Sequence, residues 1–182
     1  MVAHSHLESG WKKTLEQYYS GTNQGADTAN VEIIFTGSYL ALMEDPKRRI
    51  TYAEIKYFHM WYTRQDKTVQ EGVKKLVSEG RIEFAGGGWT ESDEASPNYE
   101  DLINNMLQGH QFLKKEFDVT PSVGWMLDSY GHSSTNARIF ADLGFDALFI
   151  ARHDKSEAVV RKPNKSYDFL WRPYEKHFGN EK

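Results

Sequence analysis

Apolar positions along the chain follow two alternating periods. Val31, Ile34, Phe35, Ser38 and Leu42 recur at helical spacing, and that segment closes before Pro46, where a helix cannot continue. Ile50 to Ile55 reads as a short strand. Lys67 to Glu79 sets Val69, Val73, Leu76 and Val77 on one stripe, with Gly80 as its cap. Arg81 to Ala85 is a second strand, closed by Gly86-Gly87-Gly88. Asn98 to Phe117 gives the longest helix, with Leu102, Ile103, Met106, Leu107, Leu113 and Phe117 inward. Val123 to Leu127 is the next strand, and Thr135 to Leu143 the next helix, with Ile139, Phe140 and Leu143 inward. Ala147 to Ile150 is the last strand, and the polar stretch Lys155 to Lys165 is expected to be a loop.

Strands alternating with helices predict an α/β architecture, either a parallel β-sheet or an incomplete β/α barrel. No linker or internal repeat divides the chain, so residues 1–182 are expected to form one domain. In such folds ligands gather at the carboxyl ends of the strands.

Composition narrows the classes. Hydrophobic residues are 39% and charged residues 26% of the chain, which excludes disorder for most of it. A net charge of −4 offers no general electrostatic attraction to nucleic acid or to an anionic membrane. With no cysteine, disulfides and thiolate metal sites are excluded. No run approaches the roughly 20 apolar residues of a membrane span, so no membrane insertion is expected. Met1 to His6 has neither a basic nor an apolar region, and a soluble chain without a signal is the expectation.

Three segments carry candidate chemistry. In His4-Ser5-His6-Leu7-Glu8, extended backbone would project His4, His6 and Glu8 to one side, giving imidazole and carboxylate as zinc ligands; the alternative is a frayed terminus. In Trp125-Met126-Leu127-Asp128-Ser129-Tyr130-Gly131-His132-Ser133, an apolar strand runs into an acid placed to act as nucleophile, base or ligand. Capping the next helix is the alternative for Asp128, although Ser133 or Ser134 is better placed for it. In Gly86-Gly87-Gly88-Trp89-Thr90-Glu91-Ser92-Asp93-Glu94-Ala95 the acids could bind substrate or serve a helix N-terminus. The glycine spacing there matches neither a dinucleotide fingerprint nor a phosphate loop. His59, His110, His153 and His177 are weaker candidates, and no Ser-His-Asp set follows from spacing.

Together the segments resemble glycoside hydrolase family 38, the class II α-mannosidases, and most closely the lysosomal type. His4-Ser5-His6-Leu7-Glu8-Ser9-Gly10-Trp11 is similar to the family's opening His-Ser/Thr-His-Asp/Asn-Asp-x-Gly-Trp. Glu16-Gln17-Tyr18-Tyr19, Asp45-Pro46-Lys47-Arg48-Arg49, Gly87-Gly88-Trp89 with Asp93-Glu94-Ala95, and the Asp128 segment follow in order. Gly144-Phe145-Asp146 and Phe169-Leu170-Trp171-Arg172 extend the similarity nearly to the end.

The resemblance implies a Zn²⁺ cofactor, with His6 and Glu8 in the places of the first two zinc ligands. It puts Asp128 where the family has the residue that both ligates zinc and attacks the anomeric carbon. Trp11 and Tyr130 match aromatics that contact mannose, and Arg152 matches the arginine beside the nucleophile. The implied reaction is retaining hydrolysis of terminal α-mannosyl residues through a covalent mannosyl-Asp128 intermediate. A mannose-containing oligosaccharide is the implied partner, and lysosome or vacuole the implied location. Glu8 stands where the family has Asp, Leu7 replaces a polar residue, and Ser129 replaces a proline. The family's general acid and a later zinc-binding histidine lie downstream of every matched block, so residues 1–182 read as an N-terminal portion of the catalytic domain.

Two other readings remain open from the residues. One is a carbohydrate-binding remnant that does not hydrolyse, using Trp11, Trp89 and Tyr130. The other is a metal-dependent carbohydrate deacetylase with Asp93 or Glu94 as proton donor.

Overall fold

The computed structural model describes residues 2–93, 95 and 97–172. Seven helices and four strands follow one another among them: α1 (Leu15–Ser20), α2 (Val31–Glu44), β1 (Ile50–Tyr52), α3 (Lys56–Thr63), α4 (Lys67–Ser78), β2 (Ile82–Phe84), α5 (Tyr99–Phe117), β3 (Val123–Met126), α6 (Ser134–Asp142), β4 (Ala147–Ile150) and α7 (Lys155–Asn164). This is the α/β order expected from the periodicity. The strands pair in parallel, β1 with β2 and β3 with β4. A hydrogen bond of 2.6 Å from the Gly86 N–H to the Val123 carbonyl joins the end of β2 to the start of β3.

Polar side chains set the helix starts. Thr14 and Gln17 form a reciprocal capping box on α1, and Asn30, Asp66, Ser133 and Asp154 each accept a backbone N–H at the heads of α2, α4, α6 and α7. The C-terminal end of α2 is closed from a distance. The nearly buried Arg81 donates to the carbonyls of Leu42 and Asp45, the latter at 2.7 Å, where the helix dipole favours a cation.

The main core is aromatic. Phe35, Phe58 and Trp61 pack together with Tyr52 of β1 and Phe84 of β2, with ring centroids 4.9–6.5 Å apart. Helix α3, which the sequence pattern leaves unread, supplies Phe58 and Trp61 to this core. A second cluster places Met106 of α5 against Met126 and Phe140.

Helix α5 lies directly on the glycine turn. A Cβ at Gly109 would stand 2.0 Å from the Gly87 carbonyl oxygen, so only glycine permits this approach. The neighbouring His110 donates its Nε2–H to the Gly86 carbonyl at 2.8 Å. This pins the turn that carries the chain from β2 toward Glu91.

Three sequence expectations need correction. Lys155 to Lys165 is mostly helix, because Asp154 caps it and a Glu157–Arg161 ion pair of 2.6 Å spans one turn; Pro163 falls in its final turn. Ile103 and Leu107 of α5 face outward, 43% and 49% exposed, since the buried stripe is Leu102, Met106, Gly109 and Leu113. The first two strands are three residues long rather than six and five.

Candidate active site

The site forms where the segments following β1, β2, β3 and β4 meet the N-terminal segment. The segment from Ala3 to Leu7 is anchored rather than frayed. Ala3 accepts the Thr51 N–H at 3.0 Å, and His4 returns a bond from Nδ1 to the Thr51 carbonyl at 3.2 Å. His4 also packs on Trp125, with centroids 4.7 Å apart, and Leu7 is buried. Burial of Leu7 turns its neighbours His6 and Glu8 toward the exposed side.

Asp128 stands two residues beyond β3 and divides its carboxylate between two partners. Oδ1 accepts from Arg152 Nε at 2.6 Å and also pairs with Arg152 Nη2. Oδ2 faces His6 Nδ1 at 3.6 Å. The Arg152 guanidinium in turn lies 5.1 Å from the centre of the Tyr130 ring, which is 88% exposed. Arg152 holds this place from a left-handed backbone, φ 55°.

Four of the six sequence-predicted site residues, His6, Asp128, Tyr130 and Arg152, are therefore brought together. Glu8 and Trp11 are not part of that set of contacts. Glu8 offers its backbone carbonyl to the Tyr57 hydroxyl at 2.9 Å. Trp11 is 70% exposed, with the Lys12 ammonium 4.4 Å from its ring centre.

Two further acids lie behind Asp128. Glu91 Oε1 accepts the Asp128 backbone N–H at 3.2 Å. Glu54 is buried beyond Tyr52 of β1, and its Oε2 has no hydrogen-bond partner among the described residues. Burial raises the Glu54 pKa to about 8, helped by the nearby charges of Glu91, Asp128 and Glu8. The Glu91 carboxyl is also raised, chiefly by burial. Both acids line a small cavity together with Ser92 and Trp125. A single acid enclosed by Tyr52-Ala53 and Ile55 is the only trace of Glu54 in the sequence, and it carries no spacing signal.

The other candidates have structural surroundings. His59 lies between Trp89 and Phe112, His153 beside Tyr167, and His110 on the glycine turn. Asp93 accepts the Ala95 N–H at 2.9 Å in a local turn. Glu94 and His177 lie outside the described residues.

His6 and Asp128 are of the donor types zinc takes, and the Oδ2 atom left by Arg152 faces the imidazole. The fit is one of kind but not of number. Among the described residues no three of His, Cys, Asp or Glu are grouped to hold a metal ion.

Residues 1–177 match the description "Glycosyl hydrolases family 38 N-terminal domain". The chain is 43% identical over 172 residues to the lysosomal α-mannosidase of Dictyostelium discoideum, covering 94% of this chain and 17% of that protein. It is 38% identical over 181 residues to an α-mannosidase of Canavalia ensiformis, covering 99% of this chain and 18% of the relative. A solved α-mannosidase from Enterococcus faecalis shares the fold, with a TM-score of 0.65, 19% identity, and coverage of 83% of this chain and 16% of that one. The chain thus spans about one sixth of the length of the curated relatives it matches.

Proposed function

The chain belongs to glycosyl hydrolase family 38, and on that premise we propose that it contributes the nucleophile half of a retaining α-mannosidase site. The proposed reaction is hydrolysis of terminal α-mannosyl residues from oligosaccharides or glycoproteins. The observation that carries this reading is the Asp128 carboxylate, held at the carboxyl end of β3 by Arg152 and still 28% exposed.

Asp128 is the attacking group. Arg152 occupies Oδ1 and fixes the carboxylate plane, which leaves Oδ2 on the side of the exposed His6. Attack on the anomeric carbon forms a mannosyl ester and expels the leaving oxygen, which needs a proton from a second carboxyl group. Water then cleaves the ester, and Asp128 is restored. We place that second group in the part of the relatives that the matched segment does not span. Tyr130, exposed beside Arg152, offers an aromatic face to the C–H surface of the sugar.

Zinc is the proposed cofactor. His6 and Asp128 would hold it, with Glu8 as a further donor, and bound zinc would supply Lewis-acid binding of sugar hydroxyls. The lysosomal names of the relatives support lysosome or vacuole as the location. Among the described residues no helix is long and apolar enough to cross a membrane.

The test is covalent trapping with a 5-fluoro-mannosyl fluoride on protein purified from its source cells. A mass increase of one fluoromannosyl group on the peptide containing Asp128, absent from Asp128→Asn, is the expected result. Mannoside cleavage with inverted anomeric configuration, or a label on another residue, overturns the assignment.

A further inference from the structure

We propose that His132 is a positioning residue: its hold on the Ala151 carbonyl fixes the peptide between residues 151 and 152 and thereby seats Arg152 on Asp128. His132 Nε2 lies 2.7 Å from the Ala151 oxygen. A carbonyl only accepts, so Nε2 carries the hydrogen, and the tautomer of the ring follows from this contact.

Ala151 is tied at both of its backbone polar groups. Its N–H donates to the Met126 carbonyl at 3.2 Å, one step beyond the β3–β4 register, and its C=O is taken by His132. The first bond fixes the peptide before Ala151 and the second fixes the peptide after it, so the plane that leads into Arg152 is set by His132 on a backbone already anchored to β3. Rotation about φ of Arg152 starts from that plane, and Arg152 sits at φ 55°, a conformation unfavourable for any side chain with a Cβ. A left-handed arginine at the end of a strand persists when its surroundings determine it. Two contacts do so here: the His132 clasp on one side and the double contact with Asp128 on the other.

The clasp and the carboxylate share one short loop. Asp128 opens it and His132 closes it, and Ser133 anchors that end as the N-cap of α6. A displacement of the loop thus moves nucleophile and tether together, which preserves the Arg152–Asp128 geometry. The consequence for catalysis rests on Asp128 being the nucleophile; the clasp itself does not.

The experiment is ¹⁵N NMR of the arginine Nε–H groups of the 182-residue chain, with the Arg152 signal assigned by its loss in Arg152→Lys. In the unsubstituted chain the Arg152 Nε–H is expected to exchange slowly. His132→Phe and His132→Met keep bulk but lose the donor, and are expected to speed that exchange by about tenfold, the scale of one lost hydrogen bond. His132→Gln places an amide N–H the same number of bonds from Cβ and is expected to restore protection. Unchanged protection in His132→Phe or His132→Met overturns the proposal. So does full loss of protection in His132→Gln while the β3 and β4 amide signals stay in place; should the apolar variants fail to fold, the Gln variant alone decides. In protein purified from its source cells, absence of any Asp128 label from the fluoromannosyl probe would defeat the mannosidase reading and leave the NMR result standing by itself.

Discussion

Glu91 and the backbone of Asp128 are joined across 37 residues, with Glu91 Oε1 accepting the Asp128 N–H at 3.2 Å. The residue proposed to attack the sugar is thus held at its main chain by one segment and at its side chain by another. Glu91→Leu removes the acceptor and leaves a partly buried N–H without a partner. A loss of ~1–3 kcal/mol in unfolding free energy is expected, with faster hydrogen exchange at the Asp128 amide. Glu91→Gln keeps an accepting oxygen and should recover most of both. Equal behaviour of the Leu and Gln variants would show that the bond contributes nothing.

Glu54 ties stability to pH. Its carboxyl titrates at about 8 in the folded chain because burial disfavours the charged form, against an ordinary value of 4.5 for a solvated glutamate. Between those values the folded state holds a proton that the unfolded state has released. Stability therefore falls as pH rises across that window, by up to ~1.4 kcal/mol per pH unit from this group. Below about 4.5 and above about 8 its contribution is level. Denaturant titrations should show that Glu54→Gln removes this slope. An unchanged difference between the two proteins from pH 5 to pH 8 would refute the buried, protonated state.

Much of this arrangement is legible in the sequence because it depends on local order. Asp128 and Arg152 lie just beyond apolar runs that form β3 and β4, so the strand pattern alone puts them at carboxyl ends. Helix α5 follows from its periodicity to within one residue, since Asn98 stands just before it rather than within it. What escapes is long-range. Glu54 and Glu91 become neighbours of Asp128 only through packing, and no spacing encodes a contact over 37 residues. Helix α3 escapes for another reason: Tyr57, Phe58, Met60, Trp61 and Tyr62 are all buried, and a polar face of only Lys56, His59 and Thr63 is too short a stripe to stand out from the apolar run. In α7 the polar composition hid a helix held by its Asp154 cap and ion pair, with little burial. Glu8 has the spacing of a ligand to His6, and its backbone carbonyl separately accepts from Tyr57, a contact over 49 residues that no spacing encodes.

Gly109 tests the seat of the glycine turn. With the Gly87 oxygen 2.0 Å from where its Cβ would stand, Gly109→Ala forces α5 away from residues 86–88. The expected cost is ~1–3 kcal/mol or more, despite the better helix propensity of alanine. Because the same turn leads to Glu91, the Asp128 amide should lose exchange protection in step. A thermal midpoint equal to or above that of the unsubstituted chain would mean that the turn and helix separate without strain.

Metal binding separates the two faces of the Asp128 carboxylate. Oδ2 faces His6, whereas Oδ1 belongs to Arg152. On the zinc proposal, His6→Ala removes a donor and Arg152→Ala does not. Isothermal titration with Zn²⁺ should then show affinity falling in His6→Ala by more than the roughly 10–100-fold typical of losing an outer partner of a ligand. Asp128→Asn should weaken it as well, since a neutral amide replaces an anionic donor. Arg152→Ala frees Oδ1 and removes a nearby positive charge, so its zinc affinity should be equal or higher. Trapping by a fluoromannosyl probe should nonetheless fall in Arg152→Ala, because the carboxylate loses the partner that fixes its plane. Tighter zinc binding joined to poorer labelling is an outcome that general unfolding cannot produce, and parallel loss of both would place Arg152 among the residues that merely hold the fold.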